Sequence, residues 1–145
     1  MSAEQNEKTV RRFLELVMAH DLATLDELVA PDCVFHDIAG FGVPTTLEGY
    51  RMMMAGFGPG TAGDMKTVIE LSFGDGEHVF IRHEATFTHA GQIMGIPATG
   101  RRIAIREHHT YRLADGKITD QWVVADMAGM MQQLRATDTP RPREP

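Results

Sequence analysis

The amino-acid sequence predicts an α+β domain in which helices cover one face of a strongly curved, mainly antiparallel sheet. Two observations favour this class: apolar residues recur at helical spacing in the N-terminal part, and alternating, β-rich segments joined by short turns follow. The length of 145 residues and the 43% hydrophobic content suit one domain with a single core.

Three helices are predicted in the N-terminal part. One stripe of apolar residues predicts the first helix, over about residues 3–19, and its members are Val10, Phe13, Leu14, Val17 and Met18. Asp21 is expected to cap a second, short helix, which ends at the segment APDC because proline cannot continue a helix. Thr45 or Thr46 is expected to cap a third helix around LEGYRMMMAGF.

Five strands are predicted, one before the third helix and four after it. The first is the short segment CVFH, and the segments on either side of GDGE form a hairpin. The last two strands are RRIAIREHHTYRL and ITDQWVVAD, which the turn ADGK joins, and MAGMMQQLRA predicts a closing helix. The domain is therefore expected to span residues 1–136, and the polar, proline-rich tail 137–145 is expected to be disordered.

Composition and charge exclude several classes of function. The net charge of −6, with scattered basic residues, disfavours nucleic acid or an anionic membrane as a partner. No apolar run approaches the ~20 residues that span a bilayer, and the charged start lacks a signal-peptide core, so we expect a cytoplasmic protein. The single cysteine, Cys33, excludes an internal disulfide and a multi-cysteine zinc site. Metal-ligand spacings and phosphate or dinucleotide motifs are also absent, so we expect no metal and no cofactor.

The segment RRIAIREHHTYRL carries the strongest candidate site. Side chains alternate between the faces of a strand, so Glu107, His109 and Tyr111 share the covered face with aliphatic residues. His108 then points outward, together with Arg102, Arg106 and Arg112, which could serve a polar dimer interface. Glu107 and His109 are expected to form an acid/base pair, or else a buried polar pair that only satisfies itself.

Further candidates lie on neighbouring strands and at strand ends. His83 falls among the apolar residues of its strand, and His36 closes CVFH beside a glycine-rich loop, where it would line a pocket mouth. Asp126 precedes the last helix, where it is expected either to cap that helix or to take part in proton transfer. The expected ligand contacts also include Met53, Phe87, Tyr111 and Trp122.

Three segments together resemble the SnoaL-like polyketide cyclases (ester cyclases), within the nuclear transport factor-like superfamily. They are LDELVAPDCVFHD, THAGQIMGIPATGRRI and HTYRLADGKITDQWVVADMAGMMQQL, and the likeness extends over about residues 5–135. The resemblance implies a cone-shaped barrel with the first three helices on its concave face, and a homodimer formed through the outer sheet face. It also implies an intramolecular aldol ring closure on a polyketide-like small molecule, without metal or cofactor.

One position departs from the family pattern. The family histidine falls on His109, but the catalytic aspartate, seven positions after the glycine of DGKI, is Val123. Because valine cannot move a proton, the acid/base could instead be Glu107, Asp126 or His36, or the reaction could be a dehydration, an isomerisation or an epoxide opening. The alternative is a protein of the same fold that binds a small apolar molecule without turnover.

Overall fold

The structure, a computed structural model, describes residues 2–136. In chain order its elements are α1 (Ala3–Met18), a 3-10 turn (Ala23–Glu27), β1 (Val29–Phe35), a second 3-10 turn (Ala39–Phe41), α2 (Leu47–Ala55), β2 (Lys66–Asp75), β3 (His78–Thr88), β4 (Arg102–Ala114), β5 (Lys117–Ala125) and α3 (Met127–Arg135). The predicted disordered tail, 137–145, lies outside the described residues. Within those residues, no helix is both long enough and apolar enough to cross a bilayer.

The five strands form one mixed sheet in the order β1-β5-β4-β3-β2. β1 pairs with β5 in parallel, and the other neighbours pair antiparallel. The predicted α+β class is confirmed. The sheet is open, with β1 and β2 at its edges, so it does not close into a barrel, and the expected cone shape stays a prediction.

The prediction of a second α-helix is wrong. Only one 3-10 turn forms, at Ala23–Glu27, and the Asp21 carboxylate accepts a hydrogen bond from the Thr24 hydroxyl at 2.8 Å instead of capping an α-helix. Pro31 lies inside β1 rather than after a helix. An edge strand tolerates proline, because one side of its backbone needs no partner. The third α-helix of the fold is therefore the C-terminal α3.

The other two predicted helices form, and one of the two caps expected for α2 is observed. The Ser2 hydroxyl accepts from the Gln5 amide and the Gln5 side chain accepts from the Ser2 amide, which makes a capping box at the start of α1. Thr46 caps α2 by accepting from the Gly49 amide. The predicted apolar stripe of α1 packs on β2 and β3, with Val10 and Phe13 fully buried.

The alternation predicted for β3 and β4 is confirmed. Val79, Ile81 and Phe87 are almost fully buried on the inner face of the sheet. His109 is 6% exposed on the same face, whereas its neighbour His108 is exposed on the outer face. The inner face therefore holds both the apolar core and the histidine that the sequence placed inside.

The side chain of Gln133 holds α3 against β4. Its amide nitrogen donates to the Ala104 carbonyl and its amide oxygen accepts from the Ala104 N–H, both at 2.8 Å. β5 ends at Ala125, opposite Glu107, so the first residues of β4 have no strand partner on that side. Gln133 supplies the hydrogen bonds that a longer β5 would have made.

We expect Gln133→Ala to lower the free energy of unfolding by about 1–2 kcal/mol, because both backbone groups of Ala104 lose their partner. Urea denaturation measures this change. The matched control is Gln132→Ala, on the exposed side of the same helix. Equal losses from the two variants would contradict this account of how α3 is held.

Candidate active site

A cavity of about 190 Å³ lies between the helices and the inner face of the sheet. Its walls are mostly apolar and include six of the ten methionines, Met18, Met53, Met54, Met65, Met127 and Met130. Flexible thioether side chains allow such a wall to adapt to the shape of a ligand. The polar side chains that reach the wall are Asp37, Tyr50, His83, Glu107, His109 and Gln121.

His109 is the centre of a hydrogen-bonded chain. Its Nε2 lies 2.9 Å from Glu107 Oε1 and its Nδ1 lies 2.6 Å from the Tyr111 hydroxyl, which Gln121 Nε2 approaches to 3.1 Å. One assignment of protons satisfies every link for a neutral His109. Gln121 donates to the Tyr111 oxygen, Tyr111 donates to Nδ1, and the Nε2–H donates to Glu107. The chain thereby fixes both the ring orientation and the tautomer of His109.

Burial keeps the tyrosine in this chain protonated. Tyr111 is fully buried, and burial raises the pKa of its hydroxyl well above the ordinary value. A tyrosine that stays protonated remains a donor to His109 Nδ1 at any physiological pH.

His83 packs directly against His109. The two Nε2 atoms lie 3.1 Å apart, and His83 is 3% exposed. Burial first, and then the charge of His109, lower the pKa of His83 to about 4. His83 is therefore neutral at neutral pH. Its Nδ1 has no hydrogen-bond partner among residues 2–136.

Glu107 presents a carboxylate to the cavity. Burial alone would raise its pKa, but the hydrogen bond from His109 and the charges of His109 and His83 outweigh burial, so the pKa is lowered. Its second oxygen, Oε2, has no hydrogen-bond partner among the described residues. The site thus offers an ionised carboxylate with one oxygen held and the other open to a ligand.

The same three side chains could hold a metal ion. One ligand atom each of His83, Glu107 and His109 lies within 4.8 Å of the others, and two histidines with one carboxylate are a known ligand set for divalent transition metals. These residues come from two neighbouring strands, so no spacing in the sequence indicates the cluster. The facing atoms also hydrogen-bond to one another, and the cluster does not require an ion to pair them.

The structure brings most of the predicted site residues to the cavity. His83, Phe87 and Met53 line it together with Glu107 and His109. Tyr111 lies behind His109 and reaches a ligand only through that ring. Val123 is also part of the wall.

Two predicted ligand contacts, His36 and Trp122, lie elsewhere. The two rings stack on each other with centroids 4.6 Å apart, and His36 Nε2 pairs with Asp120 at 2.9 Å. Neither residue lines the cavity. Alternation explains both corrections: Phe35 and Gln121 point inward, so the residue that follows each of them points to the outer face.

Asp126 is a helix cap rather than a cavity residue. Its carboxylate accepts from the Gly129 amide at 2.9 Å, at the start of α3, and the side chain is exposed. The capping alternative considered for it is confirmed. It is not positioned to exchange a proton with a ligand in the cavity.

Sequence reasoning missed Asp37, Tyr50 and Gln121. For Asp37 alternation gave no signal, because Asp37 lies in the turn after β1, is exposed and precedes the buried Ile38. For Gln121 a signal was available, because alternation along β5 places it on the same face as Val123. Tyr50 sits on α2 and had no comparable signal.

Comparison with known proteins shows which family the chain resembles. A family model described as SnoaL-like polyketide cyclase matches residues 7–134. Two aklanonic acid methyl ester cyclases, DnrD of Streptomyces peucetius and DauD of Streptomyces sp. (strain C5), are each 44% identical over 46 residues. That stretch is 32% of this chain and 32% and 29% of the two relatives, so the match spans only about a third of their length.

Solved structures extend the likeness to the whole fold. IdmH of Streptomyces antibioticus, a candidate polyketide cyclase, is 31% identical with a TM-score of 0.76, over 90% of this chain and 98% of its own. TsrD of Streptomyces laurentii has a TM-score of 0.82 over 94% and 99% of the two chains. At 23% identity, TsrD bears on the fold alone.

We expect the stability of the protein to fall as the pH drops from about 6.5 to about 4. The pKa of His83 is about 4 in the folded chain and about 6.5 in the unfolded one, so the unfolded chain binds more protons in this window. The loss from this group is roughly 2–3 kcal/mol. Urea denaturation across the window tests it, with His83→Gln as the comparison. An identical pH slope in both proteins would contradict the assignment.

Proposed function

Because the chain belongs to the SnoaL-like polyketide cyclase family, we propose that it closes a ring in a polyketide-like ketone by acid/base chemistry at this cavity. One observation carries the proposal. The hydrogen-bonded chain from Gln121 through Tyr111 and His109 ends on a carboxylate that faces an apolar cavity. Buried polar groups cost free energy unless they are satisfied, and a satisfied chain that ends on an open carboxylate oxygen suits proton transfer.

The proposed reaction is an intramolecular aldol addition. Glu107 removes a proton from a carbon between two carbonyls, and the electron pair of the broken C–H bond spreads over those carbonyls. That carbon then attacks a ketone of the same molecule, a C–C bond forms, and the ketone oxygen becomes an alkoxide. The alkoxide takes back the proton from Glu107, so the product is an isomer of the substrate and no co-reactant is consumed.

His109 and His83 have supporting roles in this scheme. The His109 N–H holds Glu107 Oε1, which leaves Oε2 as the atom that meets the substrate. Neutral His83 contacts the substrate without adding a charge to the cavity. Met53 and Phe87 contribute apolar wall for the rings of the substrate.

The second candidate function is binding without turnover, which Val123 favours. The side chain at the position of the family aspartate is apolar and lines the cavity. A binding protein would need the apolar wall but not an ionised Glu107. The effect of substitutions at Glu107 on turnover and on ligand affinity therefore separates the two functions.

We expect Glu107→Gln to lower kcat by about 10²–10⁴-fold, because the amide cannot accept the proton. His109→Gln should lower it to a smaller extent through the loss of the hydrogen bond that orients Glu107. The assay follows the consumption of aklanonic acid methyl ester, the substrate named for the two curated relatives. His108→Gln, on the outer face of the same strand, is the control. If Glu107→Gln keeps the kcat of the wild type, the proposed role of Glu107 is wrong.

We further infer that two copies associate through the outer face of the sheet, and we expect the assembly in the cytoplasm. Arg102, Arg106 and Arg112 are paired within the chain, Arg106 with Glu70 at 3.0 Å, so they are not the basis of an interface. Support comes instead from exposed apolar side chains on this face, where Val124 is 75% and Phe73 is 50% exposed.

We expect Val124→Glu to convert a dimer into a monomer, because it places a charge among the exposed apolar side chains of that face. Light scattering coupled to size-exclusion chromatography measures the mass. Ala19→Glu adds the same charge at an exposed position beyond α1 and is the control. A wild-type mass of one chain would disprove the dimer.

A further inference from the structure

We propose that Asp37 is a recognition residue that makes the cavity select an uncharged ligand with a hydroxyl donor over a ligand that bears a carboxylate. The inference deepens the proposed function and rests on it, since the ligand is taken to be polyketide-like. It names a residue that recognises the ligand and a requirement that the ligand be uncharged. The ring-closing chemistry itself sets neither.

Asp37 lies in the turn that follows β1, where its side chain is exposed and also lines the cavity. Phe35 pairs with Gln121 in the parallel ladder, so two residues further on Asp37 lies beside Val123. Val123 in turn is the partner of His109 in the antiparallel ladder. Val123 therefore lies between His109, its strand partner, and Asp37, whose carboxylate accepts a hydrogen bond from its N–H.

One oxygen of Asp37 is held and the other is open. Oδ2 accepts a hydrogen bond from the Val123 N–H at 2.7 Å. No residue between 2 and 136 forms a hydrogen bond with Oδ1 or an ion pair with the carboxylate. Asp37 lines the cavity, so an acceptor oxygen faces any ligand that fills the space next to Val123.

The charges around the cavity all have the same sign. The two carboxylates in the wall are Asp37 and Glu107, and no lysine or arginine lines the cavity among the described residues. A ligand carboxylate in this space would be removed from water without gaining a cation, and it would face two like charges. A hydroxyl at the same place would donate to Asp37 Oδ1. The wall thus accepts a neutral alcohol or ester and disfavours the free acid.

The Val123 hydrogen bond also gives a purely structural reason for Asp37, and a substitution separates the two. In Asp37→Asn the amide oxygen must face the Val123 N–H, because an NH₂ group there would oppose another donor. The NH₂ then takes the place of Oδ1. The variant keeps the backbone contact while it replaces an anionic acceptor with a neutral donor.

The test is a pair of binding measurements on the full chain. One probe is an anthraquinone that carries a single carboxylate, and the other is the same anthraquinone with a hydroxymethyl group at that position. Fluorescence titration gives a Kd for each probe with wild type, Asp37→Asn and Asp32→Asn. Asp32 is exposed on β1, does not line the cavity and controls for the loss of a charge.

We expect the wild type to bind the hydroxymethyl probe more tightly than the carboxylate probe. The ratio of the carboxylate Kd to the hydroxymethyl Kd should fall by about tenfold in Asp37→Asn but not in Asp32→Asn. An unchanged ratio would overturn the inference. It would not bear on the ring-closing proposal, which the Glu107 variants test. A wild type that prefers the carboxylate would also overturn it. If neither probe binds, both the recognition role and the cavity as a polyketide site fail.

A kinetic readout on the same variant provides a second check. A recognition residue should change KM for the methyl ester and leave kcat within a few-fold. A loss of kcat of about 10²-fold or more at unchanged KM would make Asp37 a proton-transfer group instead and overturn the recognition role.

Discussion

The register between β3, β4 and β5 is the constraint on which the site depends. A slip of one residue in β4 would bring His108 into the cavity and turn Glu107 and His109 out to solvent. The β4–β5 turn fixes that register, since Asp115 and Gly116 have φ values of 52° and 77° and Ala114 pairs with Lys117 across a two-residue loop. That geometry matches the type I′ turn that an Asp-Gly pair favours. The chemistry of the cavity is therefore set partly by two residues far from it.

Once the register is set, the buried polar groups restrict one another. Tyr111 can donate only to His109 Nδ1, so His109 carries its proton on Nε2, and that proton holds Glu107. The exception is His83, whose Nδ1 has no partner in the part of the chain that the structure covers. An unpaired buried nitrogen lowers the stability of a fold. The unpaired nitrogen belongs to the ring that lies beside Glu107, whose Oε2 has no hydrogen-bond partner among the described residues.

The alternation of side chains along a strand was enough to predict the residues on one side of the site. Most of the wrong site predictions fall on strands to which alternation was not applied. Applied to β3 and β4, it placed His83, Glu107 and His109 inside. It was not applied to β1 and β5, where it would have turned His36 outward and exchanged Trp122 for Gln121. The pairing of His83 with His109 depends on which strands are neighbours and in what register, which alternation alone does not give. The second helix failed for another reason, because Pro31 is compatible with an edge strand as well as with a helix end.

Val123 divides the cavity into two regions with different tasks. On one side, His109 holds Glu107 with one oxygen open, and on the other side Asp37 is anchored to the Val123 backbone. An aspartate at position 123 would put a third carboxylate between these two, and the mutual repulsion would raise the pKa of at least one of them. Valine removes that repulsion and leaves an apolar surface on which a flat ring system can lie. In the proposed reaction, a wall with two carboxylates and, among the described residues, no lysine or arginine stabilises an enolate poorly, so the carbonyls of the substrate delocalise the charge themselves. Compounds with carbonyls on both sides of the reacting carbon meet that requirement, and polyketides are rich in them.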